Sequence, residues 1–302
     1  MFSISRLTLL SILSFVQLCL LAEASAGLRM ATYNVRNYLV MDRYLEGRWQ
    51  PQYPKPEKEK TMVRQIIRET SPDILALQEM GPPAFLQELR ADLAEEGLEY
   101  PHVIHFSGPD TERHLAILSK IAPLEVVEHN DLDFKYFDRR ERVKRGMLEV
   151  SFEAAEGKSF KLFVVHLKSK YTDEKADPES QLRRTREAEA CRNRIVERTF
   201  DLGVERFLVA GDFNDHPDSS PLRRFYQRGD LEIGRLLPAA DSRGEVWTYF
   251  FERRGQYSLV DGFVVSAEMF PLIAGGRGEI VDSPGALHGS DHRMVYLDLV
   301  EW

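Results

Sequence analysis

Apolar runs of strand length recur along the chain, separated by polar segments. Some alternate apolar and polar residues, as half-buried strands do, and others are apolar throughout, as central strands are. The runs that predict β-strands are LRMATYNV (28–35), DILALQE (73–79), HLAILS (114–119), GMLEVSFEA (146–154), FKLFVVHL (160–167), RFLVAGD (206–212), SLVDGFVVS (258–266) and MVYLDLV (294–300).

Helical periodicity lies between these runs, at residues 57–69, 83–95 and 179–200. In the last segment, Leu182 and Cys191 fall roughly on one apolar stripe, with arginines elsewhere. Strands and helices are interleaved to the end of the sequence, and no Gly/Ser- or Pro-rich linker divides them. The pattern therefore predicts one α/β domain, built on mixed sheets covered by helices.

The N-terminal segment has the pattern of a secretory signal peptide. Arg6 precedes an apolar stretch at 7–22, which is short for a membrane span, and ASA follows at 24–26. We expect cleavage after Ala26, a mature domain at 27–302, and a secreted or periplasmic protein. Nothing in the remaining sequence predicts a membrane anchor or an oligomer.

Charge and cysteine content narrow the possible functions. The net charge is −8, and removing 1–26 takes out one arginine and one glutamate and leaves it unchanged. This acidic balance argues against a general nucleic-acid coat protein, but an enzyme can still approach a phosphate with local cations. Without Cys19, Cys191 is alone and cannot form an internal disulfide, so we expect a small buried apolar residue there.

Polar residues stand at or just past the ends of six predicted strands. Each alone has an ordinary structural explanation, such as a turn former or a satisfied core histidine. Together they predict a site where the strands end. The residues are Asn34, Glu79, His166, Asp212, Asn214, Asp261, Asp291 and His292.

The residue types suit a metal ion and a phosphate. Mg²⁺ prefers oxygen ligands, and Glu79 with Asp291 and Asn34 near it would supply them. A metal so placed polarises a phosphoryl oxygen. The chain carries no serine nucleophile elbow, zinc Cys/His cluster or Walker loop.

The remaining polar residues suit acid–base chemistry at a phosphate. Asn214 and His166, with Asn34, can donate hydrogen bonds to non-bridging oxygens. His292 is a candidate base for water, and Asp261 is a candidate to orient its ring.

In their order along the chain, six motifs resemble the endonuclease/exonuclease/phosphatase superfamily, over about residues 28 to 300. They are TYNV, LALQE, HLKSK, GDFNDHPDSSPL, SLVDGFVVS and SDHRMV. The resemblance implies a four-layer α/β-sandwich, in which two mixed β-sheets pack face to face with helices on the outer faces.

The resemblance also implies roles at the metal side of the site. Glu79 would be the principal metal ligand, Asn34 would help to hold metal or phosphate, and Asp291 would lie on the metal side. The cofactor would be Mg²⁺, with Mn²⁺ or Ca²⁺ as alternatives.

On the phosphate side, the resemblance implies that His166 contacts the scissile phosphate. Asp212 and Asn214 would position the attacking water and the phosphate, and Asp261 would pair with His292. Whether His292 or Asp212 is the base stays open.

Two cations are candidate substrate-binding residues. Arg145 lies where the nucleases of the superfamily place a phosphate-contacting arginine, although a solvated arginine is about as good an explanation. Lys168, and Arg184 in the following helix, would help to bind an extended polyanion if they face the site. A solvated helix face is the ordinary explanation of such a charge run.

Aromatic residues interleave with arginines in the segment 36–58, which includes Tyr44, Trp49 and Tyr53. They suit base stacking, or they pack a long loop onto the domain. The sequence shows no aromatic-tipped hairpin of the kind that exported sphingomyelinases insert into a membrane.

These observations favour an exported, Mg²⁺-dependent phosphodiesterase. The leading hypothesis is a nuclease whose substrate is extracellular or periplasmic nucleic acid. The second is a phosphoesterase for a phospholipid, as in sphingomyelinases, or for a small phosphoester. A binding protein that kept the fold and lost turnover ranks last, because no motif residue is missing.

Overall fold

The computed structural model describes residues 27–155 and 157–300. The signal peptide predicted at 1–26 lies outside these ranges. None of the helices in these ranges combines the length and the apolar composition that a membrane span requires. The α-helices are α1 (Glu57–Thr70), α2 (Pro83–Glu95), α3 (Gln181–Arg198), α4 (Ser220–Tyr226) and α5 (Ala286–Gly289). Single 3₁₀ turns lie at Phe200–Leu202, Glu252–Arg254, Phe270–Leu272 and Ala274–Gly276.

The first large sheet has seven strands in the order β16-β20-β21-β1-β4-β6-β5. They are β1 (Arg29–Tyr38), β4 (Ile74–Met80), β5 (His102–Phe106), β6 (His114–Ser119), β16 (Ala239–Ala240), β20 (Gly278–Ile280) and β21 (Val295–Asp298). β1 and β4 are parallel neighbours at its centre, and each has an antiparallel neighbour on its other side.

The second large sheet has six strands in the order β15-β19-β12-β11-β10-β7. They are β7 (Pro123–His129), β10 (Met147–Ala155), β11 (Lys158–His166), β12 (Phe207–Asp212), β15 (Arg235–Leu236) and β19 (Asp261–Val265). Here β11 and β12 form the central parallel pair, again flanked by antiparallel neighbours.

Four separate hairpins extend from this framework. They are β2 (Met41–Leu45) with β3 (Arg48–Tyr53), β8 (Asp133–Tyr136) with β9 (Arg139–Arg142), β13 (Gln227–Arg228) with β14 (Leu231–Glu232), and β17 (Tyr249–Phe251) with β18 (Gln256–Ser258).

Three apolar cores separate four layers, which confirms the predicted sandwich. The central core lies between the two sheets and includes Met30, Ala76, Ile117, Val150, Val164 and Leu208. A second core joins α1 and α2 to the first sheet through Val63, Ile66, Leu86, Leu89, Leu75 and Leu77. A third joins α3 and α4 to the second sheet through Ala188, Cys191, Leu222, Phe225, Phe163 and Val165.

Strand β12 shows why a central strand is apolar throughout. Leu208 and Ala210 belong to the core between the sheets, while Phe207 and Val209 belong to the core beneath the helices. Both faces of the strand are therefore buried, and successive side chains point to opposite faces. Near its end, Gly211 has φ 145°, and a Cβ there would lie 1.9 Å from the Val165 carbonyl oxygen, so no larger residue fits.

All eight apolar runs form strands and all three periodic segments form helices, with bounds within a few residues of the prediction. The stripe on α3 was predicted wrongly in one place. Leu182 is 37% exposed, and Arg184 takes a buried position instead. Cys191 is buried and free, as expected.

Candidate functional site

The two parallel strand pairs end at one edge of the sandwich, and their terminal side chains meet there. His166, Asp212 and Asp261 lie side by side in one register row across β11, β12 and β19. Asn34 belongs to β1 of the other sheet, and its side-chain amide donates to Asp212 Oδ2 at 3.0 Å. The site therefore lies where the two sheets approach each other.

Asp212 is fully buried and accepts its hydrogen bonds from amides. Besides Asn34, the backbone N–H of Asn214 donates to Oδ1 at 2.8 Å, and the Asn214 side chain donates to Oδ2 at 3.2 Å. Burial, and then the charge of Asp261, raises the pKa of Asp212 to about 7.

His292 is held between two of these carboxylates. Its Nδ1 lies 2.8 Å from Asp261 Oδ2, and its Nε2 lies 3.9 Å from Asp212 Oδ2. Burial lowers the pKa of His292, but the charges of Asp261 and Asp212 outweigh burial and raise it to about 10. The ring of Tyr249 lies against the imidazole, with 4.7 Å between centroids.

His166 contacts both sides of the site and stays neutral. Its Nε2 lies 3.5 Å from Asp212 Oδ2 and 3.9 Å from Glu79 Oε1. Its Nδ1 has no hydrogen-bond partner among the described residues. Burial, and then the charges of Arg145 and His292, holds the pKa of His166 well below its ordinary value.

Glu79 is held in place by the backbone at the end of β1. Its own φ is 61°, and Oε2 accepts the backbone N–H of Asn37 at 2.8 Å. Arg36 and Asn37 also have left-handed backbones, with φ of 45° and 51°, as does Asn214 with φ of 55°. Such conformations are unfavourable for residues other than glycine, and they concentrate at functional sites.

Asn37 and Arg113 were missed in the sequence, although they contact the site. The Arg113 guanidinium donates to Asn37 Oδ1 at 2.8 Å, which links it to the end of β1 that holds Glu79. Tyr249 was missed too. Neither Asn37 nor Arg113 ends a predicted strand as the identified residues do, and the Arg113–Asn37 contact spans 76 residues of sequence.

Two sets of oxygen and nitrogen atoms could hold a metal ion. Ligand atoms of Asp212, Asp261 and His292 lie within 4.8 Å of one another. In this set the His292 imidazole is fixed by Asp261, and its raised pKa keeps it protonated and without a free lone pair at neutral pH. The three residues are thus better arranged for proton transfer than for metal ligation.

The predicted metal residues form the other set. Glu79 keeps Oε1 free of hydrogen bonds from the described residues. Asp291 is partly exposed, and its Oδ2 lies 3.6 Å from Arg36 Nε. Asn34 directs its amide to Asp212 and its Oδ1 to the Arg36 backbone N–H. These hard oxygen donors suit Mg²⁺, Mn²⁺ or Ca²⁺.

The two predicted substrate-binding cations lie beyond His166 and are both buried. Arg145 Nε is 3.1 Å from Asp110 Oδ2. Lys168 donates its ammonium protons to the carbonyls of Ser169 and Tyr171, so it holds its own loop in this structure.

Arg184 does not face the site as a free cation. It forms a buried, two-point contact with Asp215 Oδ2, at 2.9 and 2.8 Å. This pair fixes the turn after β12.

The aromatics of the segment 36–58 are divided between the core and the surface. Tyr38 is fully buried, whereas the β2–β3 hairpin leaves Tyr44 60% and Trp49 69% exposed. A second aromatic hairpin, β17–β18, stands beside His292 and carries Tyr249 and the exposed Tyr257. Neither hairpin has an aromatic residue in its turn, at 46–47 or at 252–255.

The sequence profile of the Endonuclease/Exonuclease/phosphatase family matches residues 31–292. No curated protein sequence matches the chain significantly.

Solved structures share the fold at low identity. The chain is similar to the human nocturnin catalytic domain with bound sulfate, at 16% identity over 90% of this chain and 93% of that one, with TM-score 0.61. It is also similar to a beta toxin mutant of Staphylococcus aureus with bound magnesium ions, at 14% identity, 91% and 100% coverage and TM-score 0.62. The third is sphingomyelinase C from Streptomyces griseocarneus, at 16% identity, 91% and 97% coverage and TM-score 0.60.

These structures support the assignment of the fold. The residues that the family profile matches, 31–292, include the strand ends that build the site, from β1 to His292. The chain belongs to the endonuclease/exonuclease/phosphatase family, whose members are hydrolases that act on phosphoester bonds.

Proposed function

We propose that this protein is an exported, divalent-metal-dependent phosphodiesterase that hydrolyses nucleic acid. The observation that carries the proposal is the contact set at the sheet edge. There the Asp212 carboxylate lies within 4 Å of His166 and His292 and accepts the amide of Asn34 from the opposite sheet. The export part rests on the sequence of residues 1–26 alone.

The residues on the Glu79 side fit a divalent cation. Glu79 and Asp291 would hold it, with Asn34 beside them, because they offer hard oxygens at a partly exposed position next to the phosphate site. The cation would neutralise charge that develops on the phosphoryl oxygens.

Asp212 is the residue we assign to accept the proton of the attacking water. His292 is surrounded by carboxylates that keep it protonated, so it suits hydrogen-bond donation to the phosphate or proton donation to the leaving group. Asp261 orients the His292 ring through Nδ1, as carboxylates orient other catalytic imidazoles.

Neutral hydrogen-bond donors would hold the phosphoryl oxygens. Asn34, Asn214 and neutral His166 all lie against Asp212, where the phosphate must approach the attacking water. Preorganised donors of this kind stabilise charge that grows in the transition state.

Nucleic acid is the substrate class that the surroundings of the site favour. The β2–β3 hairpin follows β1 directly, and its Tyr44 and Trp49 present exposed rings 5.6 Å apart. Exposed aromatic rings stack nucleobases, at about 1–3 kcal/mol per base.

A phospholipid is the second candidate. The β17–β18 hairpin places an exposed Tyr257 beside the site, and sphingomyelinase C shares the fold. Aromatic side chains also favour membrane interfaces.

One panel of substrates tests the proposal. The purified protein is given supercoiled plasmid DNA, sphingomyelin vesicles, bis-p-nitrophenyl phosphate and p-nitrophenyl phosphate, each with Mg²⁺ or with EDTA. We expect Mg²⁺-dependent plasmid nicking and cleavage of the aryl diester, both abolished by EDTA. Release of phosphocholine without nicking would move the assignment to the phospholipid.

Matched variants tie the activity to the site. Asp212→Asn should abolish hydrolysis, whereas Asp230→Asn makes the same change in the exposed β13–β14 turn and should leave it intact. Cleavage of the monoester alone, or equal rates with EDTA, would contradict the proposal.

Export has its own test. N-terminal sequencing of the protein recovered from the periplasm or medium should begin at Gly27. Recovery only from the cytoplasm with residue 1 intact would contradict it.

A further inference from the structure

Two cations at the base of the β2–β3 hairpin join it to the metal side of the site. Arg43 belongs to β2, and Lys55 follows β3. The two strands form a sheet of their own, and every residue in them is at least partly exposed. A two-stranded hairpin is marginally stable by itself, so the contacts at its base decide how firmly it is seated.

Arg43 holds the backbone that holds Glu79. Its Nη2 donates to the Asn37 carbonyl at 2.7 Å and to the Leu39 carbonyl at 3.0 Å. Its Nε donates to the Tyr53 carbonyl at 3.2 Å, which ties the end of β3 to the same guanidinium. The backbone N–H of Asn37 donates in turn to Glu79 Oε2 at 2.8 Å. Asn37 therefore lies between the Arg43 guanidinium and the Glu79 carboxylate.

Lys55 holds the preceding residue of β1 in the same way. Its side chain is 0% exposed, and Nζ donates to the Arg36 carbonyl at 3.0 Å and to Glu59 Oε2 at 3.0 Å. The Arg36 guanidinium lies 3.6 Å from Asp291 Oδ2. Glu59 is on α1, so Lys55 joins the hairpin base, the end of β1 and the first helix.

The backbone between these contacts depends on external support. Arg36 and Asn37 have left-handed φ values of 45° and 51°, and Glu79 has φ 61°. Such conformations are unfavourable for residues other than glycine and persist only where surrounding contacts hold them. Lys55 and Arg43 supply those contacts at the carbonyls of the first two residues.

We infer that Arg43 and Lys55 are positioning residues of the metal site, which they reach through the backbone at the end of β1. The inference rests on the proposed function, since it takes Glu79 and Asp291 as the metal carboxylates. It deepens that function by making the affinity for the metal depend on a hairpin that lies outside the site.

Binding of Mn²⁺ to the metal-free protein tests this inference without turnover. Free Mn²⁺ is followed by its EPR signal, and no substrate is present. Arg43→Gln removes the guanidinium that spans the carbonyls of β1 and β3. We expect its Kd for Mn²⁺ to rise about 10-fold, as when a residue that orients a metal ligand is lost. Loss of a nearby positive charge alone would strengthen the binding of a cation, so the expected change has the opposite sign to a simple charge effect.

Arg48→Gln is the matched control. Arg48 is exposed at the start of β3, so the variant removes the same charge from the same hairpin. It should bind Mn²⁺ as tightly as the wild-type protein. Arg43→Lys keeps the charge and one donor, and its Kd should lie between those of wild type and Arg43→Gln.

Lys55→Gln should weaken Mn²⁺ binding as well, and urea unfolding checks that each variant is folded under the conditions of the binding assay. Saturating Mg²⁺ should return the kcat of Arg43→Gln for the aryl diester to near that of wild type. A positioning residue changes how much metal is bound, whereas proton transfer at Asp212 is left intact.

The outcomes separate the two proposals. A wild-type protein that binds Mn²⁺ and hydrolyses the diester, with an Arg43→Gln variant of equal Mn²⁺ affinity, would overturn the positioning role and leave the phosphodiesterase in place. Equal losses in Arg43→Gln and Arg48→Gln would do the same. A wild-type protein that neither binds Mn²⁺ nor hydrolyses the diester would overturn the proposed function and the positioning role together.

Discussion

Glu149 and Asp212 are both buried carboxylates in the second sheet, and their surroundings are opposite. Glu149 on β10 is contacted by three basic side chains: His129 at 2.8 Å, Lys161 at 2.5 Å and Arg198 at 2.9 Å. Among the residues that the structure describes, Asp212 accepts hydrogen bonds only from amides, and it lies beside a second carboxylate, Asp261.

The electrostatic consequences are opposite too. Burial raises the pKa of Glu149, but hydrogen bonds from His129, Arg198 and Lys161 outweigh it and lower the pKa to about 2. For Asp212, burial and the charge of Asp261 raise the pKa to about 7. Glu149, which stabilises the fold, is neutralised by cations, whereas Asp212 is left to receive a proton or a charged ligand.

Replacing Asp212 should have the largest effect on turnover. Asp212→Asn removes the proton acceptor, so kcat for the aryl diester should fall about 10²–10⁴-fold. The free energy of unfolding should change by less than about 1 kcal/mol. Removing a buried charge is favourable, and this gain offsets the cost of the amide donors that Asn cannot satisfy. Activity assays and urea unfolding on the same preparation check both halves. Near-normal kcat in the folded variant would contradict the assignment.

Replacing Glu149 should have the reverse effect. Glu149→Gln leaves Lys161 and Arg198 facing a neutral group, and breaking a buried ion pair costs about 3–5 kcal/mol. Urea unfolding should show this loss while kcat stays near that of the wild-type protein. A variant as stable as wild type would show that the cations do not depend on Glu149.

Lowering the pH should reveal the contribution of Glu149 to the free energy of unfolding. The pKa of Glu149 is lowered from 4.5 to about 2, so its contribution is fully present above pH 4.5 and is lost as the pH falls through about 2. Linkage makes this contribution about 3 kcal/mol. Unfolding free energies measured from pH 6 downward should therefore fall more steeply in wild type than in Glu149→Gln. Parallel curves would contradict the lowered pKa.

Much of the site could be predicted because strand ends are visible in the sequence. An apolar run that stops at a polar residue marks both the strand and its terminal side chain, as Val164, Val165 and His166 do. The central parallel pairs then bring such ends to one edge.

Side-chain direction could not be predicted in the same way. Lys168 follows His166 by two residues, yet its ammonium turns to the carbonyls of its own loop. Arg184 looks like a solvated residue in the sequence, and its burial is made favourable by Asp215 and by the Lys168 and Glu179 carbonyls. Asn37 was missed for the same reason, since its role depends on where Glu79 lies in the fold.

The β2–β3 hairpin escaped prediction because its strands are mostly polar and exposed. Most of β3 is exposed, and no buried face gives it an apolar pattern, so its aromatics were visible but their presentation was not.

A Mg²⁺ titration of the metal-free protein tests the central claim most directly. The initial rate of aryl diester hydrolysis should be absent after chelation and rise to a plateau as Mg²⁺ is added. Glu79→Gln should need about 10- to 100-fold more Mg²⁺ for half-activation, as expected when a ligand carboxylate is weakened. Hydrolysis that persists in chelator, or a Glu79→Gln curve that superimposes on wild type, would contradict a metal-dependent phosphodiesterase built on this sheet edge.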